Sequence, residues 1–534
     1  MRGRKLLSTH DIPLIYPPSP TQKPNHFRAD GWDAISLRSR SIGVPVSSAR
    51  RPSGYGRSMS RGAHADDPVG DERLWGTEIA GSVIELFGHT PLVRLKRMSE
   101  IHAIPCVLAM KMETTNPGGS TKDRPALEMI MAAERDGLLR PGGTIVEPTS
   151  GNTGVGLAIV AAQRGYTCVF VMTDKVAPEK VALLKAYGAE VVVCPVAVAP
   201  EDPSSYYCVA ERLTLERRAF RPNQYANPNN PLAHYRTTGP ELWRQTAGRI
   251  THFVAGAGTC GTITGVARYL KEQNPDIQII VADPEASVFS GGSGRPYLVE
   301  GVGEDFFPAA WQPDLYDRII AVSDEDSFLA ARRVSREEGI LIGGSGGLAV
   351  AAAIEVASTA EPTDIVVVLN PDSGRGYLSR VFDDHWMANF GFLRECDECV
   401  ATLLARRPAN AADLLYVNPS NTVREAIDLM RRHGVSQLPV CKNTPPFANA
   451  EVSGAVDELE LMNAVFRNPS VTELPVSQVM GPPLPTIGIG QEVDLAVQML
   501  VGAPALMVLA GGRPLAVITR TDVLSYLEGE STHG

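Results

Sequence analysis

The chain has 534 residues, of which 44% are hydrophobic and 21% are charged. That length and composition predict two or three globular domains with sizeable cores and exclude a disordered protein. The formal net charge of -10 and the sequence pI near 5.6 argue against nucleic acid or an anionic membrane as the main partner. We therefore expect a small-molecule substrate.

The eight cysteines are scattered through the chain without metal-ligand spacing. Cys396 and Cys399 form a single C-x-x-C with no second pair, so we predict no metal site and mostly reduced thiols, as in a cytoplasmic protein. The sequence contains no apolar run long enough to span a membrane.

Residues 1–75 differ in composition from the rest of the chain. They are rich in Arg, Ser and Pro, carry few acidic residues and sustain no apolar periodicity, which predicts a disordered N-terminal extension. Such a leader is typical of an organelle transit peptide, but it equally suits an upstream extension in which Met59 is the true start. Organelle targeting by residues 1–60 therefore stays open beside the cytoplasmic interpretation.

Residues 76–394 have the pattern of an α/β domain. Short β-branched runs alternate with helical patterns at 179–187 and 262–272. The runs are TIVEP (144–148), CVFVMT (168–173), EVVVCP (190–195), THFVAG (251–256), IQIIVAD (277–283) and IVVVLN (365–370). Strands of this composition, separated by helices, predict a parallel sheet covered on both faces, with ligands at the carboxyl ends of its strands.

Three loops and one turn carry the polar residues that could perform chemistry. The loop EPTSGNTGVGLA (147–158) opens a helix with hydroxyl and amide groups among glycines, an arrangement suited to a carboxylate. The loop GAGTCGT (256–262) leaves a strand, enters a helix and suits a phosphate. The loop LIGGSGG presents Ser345 between glycine pairs, and the stretch TTNPGGSTKDR presents Lys122 directly after a Gly-Gly-Ser turn.

The glycines of the second loop also permit another interpretation. Gly256, Gly258 and Gly261 spell G-x-G-x-x-G, and Asp283 ends the next strand, which is the dinucleotide pattern of a nicotinamide oxidoreductase. That hypothesis gives Lys122 no role. An enzyme that uses pyridoxal phosphate, by contrast, needs a phosphate site, an amine for a Schiff base, a partner for the ring nitrogen and a binding site for the amino-acid carboxylate. All four parts are present.

Six motifs occur in the order and spacing of a known family: NPGGSTKDR, EPTSGNTG, NQYANPNNPLAHY, GTCGTITG, VEGVGEDF and GGSGG. With them the chain from about residue 80 to its end resembles the β-replacement enzymes of the tryptophan-synthase-like, fold type II group. Within that group it resembles the cystathionine β-synthase family in its haem-free bacterial form. The resemblance implies a tryptophan-synthase-β-like α/β core with pyridoxal 5'-phosphate, a C-terminal pair of CBS domains, and a homodimer or homotetramer.

The resemblance also implies a role for each matching residue. Lys122 matches the Schiff-base lysine, which then takes the α-proton, and Ser345 matches the serine that faces the ring nitrogen. Asn152 matches the asparagine that bonds the 3'-oxygen of the cofactor. The phosphate loop is matched by Gly258, Thr259, Cys260, Gly261 and Thr262, and the binders of the substrate carboxylate are matched by Thr149, Ser150, Thr153 and Gln224.

The implied reaction replaces the hydroxyl of L-serine, or the leaving group of an activated serine, with the thiol of L-homocysteine to give cystathionine. Sulfide as the thiol would make the protein a cysteine synthase. A neutral hydroxyl at Ser345 does not hold the ring nitrogen protonated, which suits elimination of a β-leaving group.

Two positions depart from the family's pattern. Cys260 stands where the phosphate loop usually has glycine, and we expect a buried small thiol there. Glu304 stands where the animal and fungal enzymes have a tyrosine near the substrate, so it is either a catalytic acid or a solvated loop carboxylate. The haem of the animal enzymes needs a Cys and His pair ahead of the core, but no cysteine precedes Cys106, so we expect no haem.

Residues 395–414 are interpreted as a linker with some helix, and residues 415–534 contain a weak internal repeat. NTVREAIDLMRRHGVSQLPV (421–440) is similar to QEVDLAVQMLVGAPALMV (491–508), each an amphipathic helix followed by a strand. The repeat resembles the tandem CBS-domain regulatory module, although its apolar positions alone suit any small α/β domain.

Such modules commonly bind adenosyl ligands through a Thr-x-x-Asp that holds ribose. Thr519 and Asp522 keep this pattern in the second copy, whereas Asp457 and Glu460 stand in its place in the first. S-adenosylmethionine is therefore a candidate regulatory ligand, and a purely oligomeric role for the pair stays open. A non-catalytic adenosyl sensor is the remaining hypothesis from another class.

Overall fold

The computed structural model describes residues 79–149, 151–174, 176, 178–195, 201–393, 398–407 and 414–530. The predicted disordered extension and the carboxylate-binding candidate Ser150 lie outside this part of the chain. Its strands are β1 (Leu92–Arg94), β2 (Val107–Met112), β3 (Thr144–Pro148), β4 (Thr167–Thr173), β5 (Glu190–Cys194), β6 (His252–Gly256), β7 (Gln278–Pro284), β8 (Arg318–Val322), β9 (Ile365–Asn370), β10 (Gln437–Cys441), β11 (Val452–Asp457), β12 (Thr486–Gly488), β13 (Ala505–Ala510) and β14 (Arg513–Thr519).

Its α-helices are α1 (Lys96–Ile101), α2 (Asp123–Arg135), α3 (Asn152–Arg164), α4 (Pro178–Ala186), α5 (Tyr206–Glu216), α6 (Asn229–Arg236), α7 (Thr238–Gln245), α8 (Gly261–Gln273), α9 (Asp324–Glu337), α10 (Gly344–Ser358), α11 (Asp384–Asn389), α12 (Val400–Ala405), α13 (Val423–His433), α14 (Glu458–Arg467), α15 (Val493–Gly502) and α16 (Arg520–Glu530). None of these helices is long and apolar enough to cross a membrane.

The strands of the α/β region divide between two sheets, rather than forming the one parallel sheet that the alternation predicted. The larger sheet has the order β1-β2-β9-β6-β7-β8, and the smaller has the order β3-β4-β5. Pairing is parallel throughout except between β1 and β2, which are antiparallel. The prediction was wrong on this point because alternation with helices implies parallel pairing but carries no information on which strands are neighbours.

Alternate residues of the larger sheet enter different cores, as expected for a sheet with helices on both faces. Val254 of β6 and Val368 of β9 pack in one cluster with Ala349 of α10. Their neighbours Phe253 and Val367 pack in another cluster, which includes residues of α8. The predicted two-sided coverage is therefore confirmed for this sheet.

The smaller sheet has its own core with α2 and α3. Ile145 and Phe170 of its strands are fully buried against Ile130 of α2 and Leu157 of α3. The start of α2 follows a turn in which Gly119 has a φ of +76°, a conformation that favours glycine. This turn leads directly into Lys122 and α2, beside the smaller sheet.

The C-terminal residues confirm the internal repeat. Each copy is a helix, an antiparallel strand pair and a second helix: α13, β10, β11 and α14 in the first, and α15, β13, β14 and α16 in the second. Val400 and Leu403 of α12 are buried in the core of the second copy, so part of the predicted linker packs with it.

A buried carboxylate makes one of the contacts between the first repeat and the α/β region. Glu451 is 4% exposed at its side chain and pairs with Arg295 at 2.8 Å. It also accepts hydrogen bonds from the Asn443 side chain at 2.5 Å and the Ala448 backbone at 2.8 Å. Arg295 belongs to the segment between β7 and β8, which continues into the site described next.

Candidate active site

A cavity of about 290 Å³ lies where the turn before α2 meets the polar loops at strand ends. Its lining includes most of the residues predicted for catalysis and binding: Lys122, Thr149, Asn152, Thr153, Gln224, Gly258, Thr259, Glu304 and Ser345. A smaller adjoining space is lined by Gly258 to Thr262 and by Thr121 and Lys122. The structure thus brings together loops that are far apart in the sequence.

Lys122 lies directly before the first residue of α2. Its backbone N–H donates to the Ser120 hydroxyl at 3.2 Å, and Asp123 accepts a hydrogen bond from the Gly118 backbone at 2.6 Å. Burial lowers the pKa of the Lys122 ammonium, while the carboxylates of Asp372 and Glu304 oppose that shift. A lysine with a lowered pKa is more often neutral, as an amine that forms a Schiff base and accepts a proton must be.

The start of α3 brings hydroxyl and amide side chains together at the cavity wall. The Gly151 backbone N–H donates to the Thr149 hydroxyl at 3.2 Å, and the Thr153 hydroxyl donates to the Gln224 side chain at 2.7 Å. Gln224 is held in turn because its backbone N–H donates to buried Glu147 at 3.0 Å. The arrangement suits a carboxylate at a helix N-terminus.

The loop before α8 forms a close cradle around the smaller space. Thr259 accepts a hydrogen bond from Asn230 at 3.0 Å, and the Thr262 hydroxyl lies 3.2 Å from the His234 ring. A Cβ on Gly261 would lie 1.9 Å from the Asn230 side-chain oxygen, so only glycine fits there. The Thr121 hydroxyl in the same space is buried without a hydrogen-bond partner.

That unpaired hydroxyl and the N-terminus of α8 fit a phosphate, which accepts several hydrogen bonds. On this donor set, the site fits pyridoxal phosphate. Cys260, inside the loop, is 2% exposed and has a φ of +62°, so the expected buried thiol is confirmed in a backbone conformation that favours glycine. Burial raises the pKa of the Cys260 thiol, which keeps it protonated.

Asn152, at the start of α3, and Ser345 of α10 also line the cavity. The Asn152 side chain donates to Asp372 at 2.9 Å, and Tyr377 donates to the same carboxylate oxygen at 2.7 Å. Ser345 is 3% exposed and begins the buried face of α10. The sequence analysis missed Asp372 and Tyr377, although Asp372 follows the end of β9, where a polar residue is a signal for a site.

Glu304 is a partly buried carboxyl at the cavity wall rather than a solvated loop residue. Burial raises its pKa to about 7, against the hydrogen bond with Tyr225, which lowers it. Its backbone N–H donates to the Ser287 hydroxyl at 3.1 Å. A carboxyl with a pKa near neutrality can both donate and accept a proton, which favours the catalytic interpretation.

Asp283, the second part of the dinucleotide pattern, does not offer a carboxylate to a ligand. It is fully buried, and one of its oxygens accepts a hydrogen bond from the Ser290 backbone at 2.8 Å. An acidic residue that holds a ribose must reach the binding crevice. The structure therefore disfavours the nicotinamide hypothesis.

Thr519 and Asp522 lie at the junction of β14 and α16, away from this cavity. Asp522 accepts hydrogen bonds from the Thr519 backbone at 2.7 Å and hydroxyl at 2.9 Å. Its other oxygen accepts from Arg407 at 2.9 Å. Asp457 instead caps α14 through the backbone of Leu459 at 2.8 Å.

Among the described residues, no group of three or more His, Cys, Asp or Glu side chains could hold a metal ion. The predicted C-x-x-C cannot be described as a pair, since Cys396 lies outside the described part of the chain. Cys399 is buried at the start of α12.

Two family models match the chain. The model described as pyridoxal-phosphate dependent enzyme matches residues 83–372, and the model described as CBS domain matches residues 409–466.

Curated relatives named cystathionine β-synthase match most of the length of the chain. The protein of Apis mellifera is 43% identical over 60% of this chain and 64% of the relative, and that of Oryctolagus cuniculus is 42% identical over 69% of each. That of Dictyostelium discoideum is 35% identical over 84% of this chain and 92% of the relative.

Solved structures show the same fold. The crystal structure of O-ureido-L-serine synthase matches with a TM-score of 0.55 and 37% identity, covering 57% of this chain and 96% of that one. A hydrogen sulfide-producing enzyme from Fusobacterium nucleatum matches with a TM-score of 0.53 and 37% identity, covering 56% and 98%.

The chain therefore belongs to the pyridoxal-phosphate-dependent enzyme family, among its cystathionine β-synthase members. Membership confirms the predicted fold class, the presence of a CBS domain and the pyridoxal phosphate cofactor. The match spans 64% of the length of the Apis mellifera relative.

Proposed function

We propose that the protein condenses L-serine, or an activated serine, with L-homocysteine to form cystathionine. The observation that carries this proposal is that Lys122, a carboxylate-binding helix start and a phosphate cradle open onto one cavity and its adjoining space. The names of the relatives that are 35–43% identical support the choice of substrates.

Pyridoxal phosphate, when bound, supplies an electron sink for the α-carbon of the amino acid. Gly258 to Thr262 and Thr121 would hold its phosphate, Asn152 its 3'-oxygen, and Ser345 its ring nitrogen. Lys122 removes the α-proton and later returns one. Thr149, Thr153 and Gln224 hold the substrate carboxylate, which orients the Cα–H bond for that transfer.

The second proton transfer concerns the leaving group. The Cβ–O bond of serine breaks and the hydroxyl leaves as water once it receives a proton, while the thiol loses its proton as the S–Cβ bond forms. We assign both transfers to Glu304, whose pKa of about 7 suits each direction. A neutral hydroxyl at Ser345 would not hold the ring nitrogen of the bound cofactor protonated, which would favour departure of the β-substituent.

Assembly and regulation are further parts of this proposal. We expect a homodimer or homotetramer, S-adenosylmethionine as the ligand of Thr519 and Asp522, and no haem. The boundaries 76–394 for the catalytic domain and 415–534 for the CBS pair stay predictions.

The test is a product analysis with two amino acids and two thiols. Purified protein with added pyridoxal phosphate is incubated with serine or O-acetylserine, each with homocysteine or sulfide, and the products are identified by mass spectrometry. We expect cystathionine from homocysteine as the main product. Cysteine formed from sulfide at a much higher kcat/KM would instead support the cysteine synthase alternative.

A further inference from the structure

Three charged side chains from separate segments meet at the active-site cavity. Glu300, between β7 and β8, forms ion pairs with Lys180 of α4 and with Arg380, which follows β9. Each carboxylate oxygen of Glu300 accepts a hydrogen bond from one of the two cations. Lys180 and Glu300 line the cavity itself. We call these three residues the ion cluster.

The ion cluster adjoins the site of the first amino acid. A Cβ on Gly151, at the start of α3, would lie 3.2 Å from Cδ of Lys180, so the lysine chain passes directly over the carboxylate-binding turn. The Lys180 ammonium lies 4.8 Å from the ring centroid of Tyr377, whose hydroxyl bonds Asp372. Through these contacts the cluster lies beside the reacting amino acid, and none of the roles assigned above uses it.

The charge of the ion cluster is not balanced. Two cations share one carboxylate, which leaves a net charge of one positive unit on groups that are only 15% exposed for Lys180, 31% for Glu300 and 35% for Arg380. Partly buried charge of one sign at a cavity attracts a ligand of the other sign. The excess positive charge of the cluster therefore attracts one more carboxylate, and Glu300 can exchange a cation for an ammonium group.

A thiol amino acid carries both of those groups, whereas sulfide carries neither. We propose that the ion cluster binds the second amino acid of the reaction. Lys180 and Arg380 pair with the carboxylate of that amino acid, and Glu300 pairs with its ammonium group. The cluster then sets the preference for a thiol amino acid over sulfide. This inference rests on the proposed function and deepens it, because it assigns the subsite of the second substrate.

The experiment measures the steady-state kinetics of Glu300→Gln, Lys180→Gln and the wild-type protein. Each is assayed with four thiols: homocysteine, the homocysteine analogue that lacks the amino group, the analogue that lacks the carboxylate, and sulfide. Glu300→Gln should raise KM about tenfold or more for thiols that carry the ammonium group, because a charged hydrogen bond is lost. Lys180→Gln should do the same for thiols that carry the carboxylate. The KM for serine and the rate with sulfide should change by less than about twofold in both variants.

Glu190→Gln is the matched control. Glu190 of β5 pairs with Arg217 at 2.7 Å on the protein surface, with side chains 48% and 39% exposed. Circular dichroism checks that each variant is folded, and Arg380→Gln replaces a cluster variant that is not. An increase in the KM for serine, or an equal loss with all four thiols, would overturn the inference, since the cluster would then serve the first amino acid or the fold. Wild-type protein that makes no cystathionine from homocysteine would overturn the proposed function as well, which separates the two failures.

Discussion

Lys122 depends on its surroundings for its reactivity, because its ammonium is buried among groups that only partly stabilise the charge. We predict that Lys122→Ala abolishes β-replacement, with turnover falling by a factor of about 1000 or more, since both the Schiff-base amine and the base are lost. Steady-state kinetics and the visible absorption of the bound cofactor measure the two losses. Lys185→Ala, at an exposed position of α4, is the control and should behave as wild type. Retention of a sizeable fraction of wild-type turnover in Lys122→Ala would contradict the assignment.

Glu304 should give the enzyme a pH dependence. If the protonated carboxyl donates to the leaving hydroxyl, kcat/KM for serine falls as the pH rises through about 7, the pKa of this group. Glu304→Gln should lower kcat/KM about 100-fold or more and remove that limb of the profile. Glu211→Gln, an exposed control on α5, should keep the limb. A limb that persists in Glu304→Gln would assign the titration to another group.

The same raised pKa makes the contribution of Glu304 to the free energy of unfolding depend on pH. The folded state binds this proton more tightly than the unfolded chain, whose carboxyl has an ordinary pKa of 4.5. The contribution of Glu304 to the free energy of unfolding therefore declines as the pH rises from about 4.5 to about 7.

The site residues that the motifs predict line one cavity, whereas other residues of that cavity were not predicted from the sequence. Lys122 stands in GGSTKDR, and Thr149 and Thr153 stand in one glycine-rich loop. Asp372, by contrast, is a single acid that follows a strand, and Lys180 has the pattern of a solvated helix residue. Glu300 stands in the motif VEGVGEDF, but that motif indicates no role for it. Their proximity depends on tertiary packing between the two sheets, which no local pattern encodes.

At the scale of elements, composition located the strands but not their neighbours. The run IVVVLN predicts a strand at 365–370, and β9 has those bounds. Its partner β2 lies more than 250 residues earlier in the chain and precedes the smaller sheet entirely. Because every strand run is similarly rich in valine and isoleucine, the hydrophobic pattern does not distinguish a single sheet from two.

The loop before α8 shows how one glycine pattern serves two chemistries. Gly256, Gly258 and Gly261 permit close backbone approach in a dinucleotide site and equally in a phosphate cradle. What decides between them is the surroundings: Asn230 packs against Gly261, and Asp283 is buried away from the crevice. Those contacts are visible only in the folded chain.

We therefore predict that Gly261→Ala weakens the cofactor site. The new Cβ displaces Asn230, which loses its hydrogen bonds to Thr259 and to the Gln224 carbonyl. The free energy of unfolding should fall by about 1–3 kcal/mol, and the Kd for pyridoxal phosphate should rise. Denaturant unfolding and titration of the apoprotein with the cofactor measure these changes. Gly502→Ala, where a Cβ meets nothing within 4 Å, is the control, and an equal effect there would contradict the steric account.

At the scale of the whole molecule, one loop reaches from the first repeat to the active-site cavity. Arg295, which pairs with Glu451 of the first repeat, is followed by Glu300 and Glu304 at the cavity. A change in the position of the repeat would therefore act directly on a wall of the active site. A ligand that binds one arrangement more tightly than another shifts the population between them by its difference in affinity.

The ligand expected in that role is S-adenosylmethionine at Thr519 and Asp522. At a concentration of about 100 times Kd, binding to the folded state adds about 2.7 kcal/mol to its stability, so the melting temperature of the intact protein should rise by several degrees. Calorimetry of the protein with and without the ligand measures this rise.

Asp522→Asn should remove most of the rise, because an unpaired ribose hydroxyl costs about 1–3 kcal/mol of binding. The baseline melting temperature of this variant will itself be lower, since Asp522 also pairs with Arg407 at 2.9 Å, so the ligand-induced shift is the quantity to compare. Asp457→Asn, at the corresponding position of the first repeat, is the matched control and should keep the shift, because Asp457 caps α14 and lacks the Thr-x-x-Asp pattern. Equal shifts in the two variants would contradict a ribose contact at Asp522, and no shift in the wild-type protein would leave the pair of repeats with an assembly role.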